Sequence, residues 1–347
     1  MNIVAASCIF PSGPSMALAS IALDSKMPLN RKHPFYVDRC GDLVRASFFP
    51  QPLLFDIDRW IALVKATLQD LHAQQPVAES REFDITHYSL WLVVPPAMRA
   101  GVPDKLAEQL IAACAEGPFV FDKVTTVEGG HAAPVQALHS AKLSLLGATS
   151  FTGRAAIVVA VDSWLHPNAL NWLETQDLLH NAGKSYKGLA RRNPYGFIPG
   201  EAAAAVMLGS VGKFWCRILG AGATAEPILR TDSRPCIGAG WTQAAKSALE
   251  TLPDGQKISR IISDLNGEPY RADQFGFAVL RIADRLIEKW AGLTPALVTG
   301  DVGTATALVH VALSADMLRQ QEYGQPRETH LLLSSSDDSL RSALVLE

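Results

Sequence analysis

The chain is expected to fold as an α/β protein, because strand-like apolar runs alternate with helical patterns along its length. Two observations sharpen this. Several strand candidates are continuous Val, Ile, Leu and Ala runs rather than alternating ones, as strands covered on both faces require. The stretch Thr304–Leu318 is apolar on nearly every face, which marks a helix buried all round.

Taken in order, the expected strands are Ile3–Cys8, Leu90–Val94, Ala156–Val161 and Ala203–Leu208, then Cys216–Leu219, Ile261–Leu265, His330–Ser334 and Ala343–Leu346. Helical spacing picks out Ile57–Ala73, Asp104–Ala115, Val135–Leu146 and Thr304–Leu318. A helix is also expected over Asp273–Trp290, where Phe275, Val279, Ile282, Ala283, Leu286, Ile287 and Trp290 recur at spacings of three and four. The apolar N-terminus has no basic region, since its first lysine is Lys26, and Pro11, Gly13 and Pro14 interrupt it. It reads as a buried strand and a turn, not as a secretion signal. The stretches Gln74–Glu82, Asn181–Asn193 and Glu226–Pro235 read as surface loops.

With 347 residues the chain can bury a large core, and its 48% apolar and 19% charged content suits a compact protein. A net charge of −3 gives no electrostatic reason to bind nucleic acid or an anionic membrane. No apolar run is long enough for a membrane span. Five scattered cysteines without a CxxC pair indicate neither zinc nor a disulfide framework, and a cytoplasmic location is expected by default.

Several motifs carry less than they suggest. Gly220-Ala-Gly222-Ala-Thr-Ala225 imitates the start of a dinucleotide fingerprint, but Pro227 and Pro235 break the chain where the phosphate-binding helix should begin. No cofactor is expected. The histidines lack metal-ligand spacing, so no metal is expected either. Asp162-Ser163 reads as a turn or cap, and Asp337-Asp338 as a solvated turn. His139 reads as a packed or hydrogen-bonded core histidine.

Five blocks in order resemble the β-ketoacyl synthases of the thiolase-fold superfamily. Tyr195-Gly-Phe-Ile-Pro-Gly-Glu-Ala-Ala-Ala-Ala-Val-Met-Leu208 is similar to the family's GFvxGEGAaxlvL segment, with Ala202 replacing the second family glycine. Ala156–Ser163 resembles the strand that ends in a V-D-S turn, and Ile218–Ala225 resembles I-x-G-y-G-x-T-s, which accounts for the glycines without a nucleotide. Thr299–Thr306 resembles the T-G-H-x-x-G-A-A turn and helix, and Leu331–Leu346 the closing strand pair. The resemblance implies a thiolase-like five-layer αβαβα fold with mixed sheets, in two similar halves, 1–210 and 211–347, joined near Leu208–Gly212. It also implies a homodimer or pairing with a related subunit, with an apolar strand such as Ala156–Val161 meeting its copy. An acyl carrier protein or acyl thioester is the implied partner.

The family's catalytic residues do not carry over. His131, six and seven residues before Ala137-Leu138, takes the position of the nucleophilic Cys; Asn266 and Asp301 take those of the two histidines. Ala296 stands for the family lysine, and Ser335–Ser339 replaces the glycine-rich gate. A carboxylate at 301 is an acceptor only and would repel a developing oxyanion. Two readings follow: a non-catalytic subunit or adaptor in which His131 and Asp301 pair, or an acyltransferase or thioesterase with a rebuilt His–Asp–Asn site.

Overall fold

The computed structural model describes residues 1–49, 56–75, 85, 87–147, 153–181, 193–209, 213–321 and 326–347. Parts of three expected features lie outside them: the loops Gln74–Glu82 and Asn181–Asn193, and the join near Leu208–Gly212.

The first elements are β1 (Asn2–Ile9), α1 (Met16–Asp24), β2 (Asn30–Val37), β3 (Leu43–Ser47), α2 (Ile57–Ala73), β4 (His87–Val94) and α3 (Leu106–Ala115). Next come β5 (Phe121–Glu128), α4 (Ala133–Leu146), β6 (Arg154–Ser163), α5 (Pro167–Thr175) and β7 (Glu201–Gly209). The chain continues through β8 (Cys216–Ala225), α6 (Ala239–Leu249), β9 (Ile258–Ser263), α7 (Pro269–Arg281) and β10 (Leu286–Leu293). It closes with α8 (Ala296–Thr299), α9 (Thr306–Arg319), β11 (His330–Ser335) and β12 (Leu340–Leu346).

The strands run in the order β10-β9-β11-β12-β8-β1-β7-β6-β4-β5. Two groups of five share one pattern. In β5-β4-β6-β7-β1 the first two pairings are parallel and the last two antiparallel. The group β10-β9-β11-β12-β8 repeats that sequence of directions. Among the described residues a short antiparallel pairing, Asn2 with Arg217 and Ile3 with Cys216, joins the two strand groups.

Side-chain alternation sorts the core into layers. Along β6, Ala156, Val158 and Ala160 face α4 and α9, while Ala155, Ile157, Val159 and Val161 face α2 and α3. Leu332, Leu344 and Leu346 of the second group pack onto the same α4 and α9 layer, and Leu331, Leu333, Ala343 and Val345 pack on α6 and α7. The result is five layers with α4 and α9 in the middle, α9 buried nearly all round and α4 buried on one face. That explains why α9 is apolar all round: it meets a sheet on each side. Gly222 belongs to this packing, since a Cβ there would lie 2.1 Å from the Ala244 carbonyl of α6. The glycines of β8 let a helix approach a strand.

Three expectations need correction. The helix expected over Asp273–Trp290 stops at Arg281, and Leu286–Leu293 forms edge strand β10, parallel to β9. Leu286 and Trp290 fit both periods, and the open edge of β9 supplies the backbone partners that decide between them. Strand β6 is paired on both sides, by β4 and β7, so Ala156–Val161 cannot meet a copy across a two-fold axis. The open edge in that group is β5. His139 is exposed, not packed in the core; it lines a cavity of about 500 Å³ between α4 and β8.

Candidate functional site

Both central helices begin at the same place. Pro134 sits in the first turn of α4, where its missing N–H costs nothing. His131 lies just before that turn and is buried. The α9 end is entered through a tight turn at Gly300–Gly303, where Gly303 has φ +53° and a Cβ would collide with Asp162. The two helix starts touch: Ala307 N donates to the His131 carbonyl at 3.3 Å and Thr304 Oγ1 to the Gly129 carbonyl at 2.7 Å.

This convergence brings together the three residues singled out from the sequence. His131 Nε2 lies 2.9 and 3.0 Å from the two carboxylate oxygens of Asp301. Asn266 Nδ2, on the turn after β9, donates to Asp301 Oδ2 at 2.7 Å. Asp301 Oδ1 also accepts from Gly303 N at 2.8 Å and from Trp164 Nε1 at 3.2 Å. The carboxylate is thus bound by five contacts and sits where two positive helix ends meet. His131 and Asp301 expose only 4% and 2% of their side chains.

Burial opposes charge on both partners. For Asp301 that opposition is overcome by the charge and hydrogen bond of His131, then by Arg271 and Asn266, and its pKa falls well below the usual carboxylate range. For His131, burial and Arg271 lower the pKa, but the Asp301 charge and hydrogen bond outweigh them, so it is raised. The arrangement is a buried His–Asp pair in which the carboxylate favours the protonated imidazole. His310, buried nearby on α9, is pushed the other way, down to about 3, by burial and then by the His131 charge, and it stays neutral.

A second charge cluster supports the first. Asn266 Nδ2 also donates to Glu268 Oε2 at 3.0 Å, and Asn266 Oδ1 accepts from Glu268 N at 3.1 Å. The buried guanidinium of Arg271 binds Glu268 at 2.9 Å, Asp264 at 2.8 Å and Asp337 at 3.1 Å. It also donates to Ser335 Oγ at 2.7 Å. Ser336 Oγ accepts from Ala132 N at 3.0 Å, so the Ser335–Ser339 segment fills the orphan-donor position at the start of α4. On the other side, Asp162 at the end of β6 binds Arg99 at 2.5 Å through each oxygen and accepts from Thr304 N at 2.7 Å. Arg99 stacks 4.0 Å over the Trp164 ring. Asp162, read from the sequence as part of a turn or cap, is therefore a buried anchor for the α9 turn.

Sequence reasoning missed Trp164, Asp264, Glu268 and Arg271. Asp264 and Glu268 flank Asn266 at two residues on either side, the one local signal that could have found them. None of the five cysteines joins the cluster; all are buried, and burial pushes the Cys114 thiol up to about 12. Among the described residues no group of His, Cys, Asp and Glu has the geometry to hold a metal ion. No described helix is long and apolar enough to cross a membrane.

No family model matches the sequence, and no curated protein matches it. Solved structures do. A ketosynthase from module 6 of the bacillaene synthase of Bacillus subtilis 168 superposes with a TM-score of 0.73 at 13% identity, over 100% of this chain and 71% of that one. A complex of a type II PKS acyl-carrier protein with its ketosynthase bound to the hexaketide gives 0.76 at 12% identity, over 100% and 98%. The ishigamide ketosynthase/chain length factor gives 0.69 at 15% identity, over 99% and 98%. The chain therefore has the thiolase-like fold of ketosynthases. At these identities the likeness speaks for fold alone.

Proposed function

We propose that this chain is a ketosynthase-fold protein without condensing activity, working as a non-catalytic subunit or adaptor. The observation that carries this reading is the closed His131–Asp301–Asn266 cluster. A protonated imidazole has no free lone pair for attack on a thioester or for general-base work. Asp301 places a fixed negative charge where an acyl oxyanion would have to be stabilised. Asn266 keeps a donor amide, but it is spent on Asp301 and Glu268. In this reading His131, Asn266 and Asp301 stand at the Cys-His-His positions of a condensing enzyme and fill them structurally. The two strand groups correspond to halves 1–210 and 211–347.

The same reading makes the protein one member of a pair, with itself or with a related subunit. The open edge of β5 and the adjacent outer face of α4 supply the surface: Val124 is exposed on the strand, and Leu143 and Leu146 on the helix. Sedimentation at micromolar concentration should give twice the chain mass, or a 1:1 complex with the subunit. An acyl carrier protein is the second partner this reading expects.

The test is intact-mass spectrometry after incubation with acetyl and malonyl thioesters. The expected result is an unmodified mass and no decarboxylation. A stable acyl adduct on His131 would instead establish the alternative, an acyltransferase or thioesterase with a rebuilt site.

A further inference from the structure

The ribbon β2–β3 leans on the body by one face only. Val44 and Ala46 point inward and are buried. Ser47 N donates to the Pro199 carbonyl at 2.8 Å, and Pro199 is itself bridged to Asp301. The other face is exposed and has a charge pattern that a free sheet avoids. Lys32 and Arg45 are directly opposite each other across the ribbon. Like charges in that position repel and destabilise the pair. Among the described residues neither has a carboxylate partner; Arg45 reaches only the amide oxygen of Asn30, at 3.2 Å. Further along the same face, Val37 and Leu43 form the next cross-strand pair, 52% and 38% exposed. Residues 30–47 carry four cations against two acids in a chain of net charge −3.

We propose that this outer face is a docking surface for an acidic segment of a partner protein with apolar side chains between its carboxylates. The opposed cations need an anion between them, and the Val37–Leu43 pair gives the segment an apolar footing beside it. A broad anionic surface fits less well. Asp42 lies exposed at the ribbon turn, and Glu174 and Asp177 bind Arg39 there, so a flat membrane would meet carboxylates together with the cations. A discrete acidic segment can avoid them. The ribbon's role does not depend on the chemistry at His131.

The experiment measures fluorescence anisotropy of a labelled synthetic peptide of Glu and Leu. A Lys and Leu peptide of equal length and phosphatidylglycerol vesicles serve as comparisons. Saturable binding to the acidic peptide is expected, weakening as salt rises. Lys32→Glu and Arg45→Glu should each weaken it about tenfold, and Val37→Ser by several-fold with its salt dependence unchanged. Arg45→Glu should also raise the melting temperature by about a degree, because an opposed pair becomes an attractive one. Lys32→Gln and Arg45→Gln provide milder versions if a charge reversal disturbs the ribbon. Absence of saturable binding, binding indifferent to these substitutions, or preference for the vesicles or the basic peptide would each overturn the proposal.

Discussion

The site at His131 and the ribbon β2–β3 treat charge in opposite ways. At His131 the charges face opposite ones and all but Asp337 are buried: Asp301 meets His131, and Arg271 meets three carboxylates. On the ribbon two cations are exposed and face each other. A buried charge must be matched from within, because no solvent or ligand is there to do it. An exposed, mismatched pair costs little and remains available. The comparison teaches where the molecule can still react to something outside itself. On the proposed reading it is the ribbon, while the charges at the His131 cluster are matched from within.

The largest effect should come from breaking the matched side. Arg271→Met leaves Asp264, Glu268 and Asp337 without their shared cation, and Asp264 Oδ1 already has no partner among the described residues. A loss of about 3–5 kcal/mol is expected, measurable by urea unfolding. Adding Asp264→Asn should recover part of it, as removal of an uncompensated buried charge requires. No recovery would mean that Arg271 acts by packing.

His131→Ala comes next, with a loss of roughly 2–4 kcal/mol, because Asp301 would keep its charge and lose its main partner. The double variant His131→Ala, Asp301→Ala should be more stable than the sum of the two single losses predicts. Additive losses would show that the two residues are not coupled.

The pH dependence sharpens the same point at smaller scale. The raised pKa of His131 means that its contribution is complete below the unfolded value of about 6.5 and fades as pH rises through the folded pKa. The lowered pKa of Asp301 means that its contribution is present above about pH 4 and is lost as pH falls through the folded pKa. The stability gap between wild type and His131→Ala should therefore be widest between about pH 4 and 6.5 and narrow in alkali. A gap that widens above neutrality would contradict the ion-pair description.

Legibility in the sequence followed the same division between matched interior and open surface. The interior strands β1, β4, β6, β7, β11 and β12 could be read because burial on both faces leaves long apolar runs. Strands β2, β5 and β10 could not: Asn30–Val37, Phe121–Glu128 and Leu286–Leu293 lie at an edge or in a ribbon, where exposed polar residues dilute the pattern. Helix α6 was missed as well, since Ala239–Leu249 follows a run of loop residues and has few large apolar side chains. At the site, the blocks around His131, Asn266 and Asp301 were legible as resemblance, and the structure brings those three into contact. Trp164 was not, because it reaches the cluster through a long-range contact that leaves no periodic signal; nor was Arg271, whose contacts to Glu268 and Asp264 are local but whose bonds to Ser335 and Asp337 are not. The Trp164–Asp301 bond spans 137 residues of chain.

The most direct test of the central claim is thiol release from acyl thioesters by wild type and His131→Ala, with melting temperature measured on the same samples. A closed ion pair without catalysis predicts release at the uncatalysed rate from both proteins and a lower melting temperature for the variant. Wild-type hydrolysis that disappears in a fully stable His131→Ala protein would contradict it.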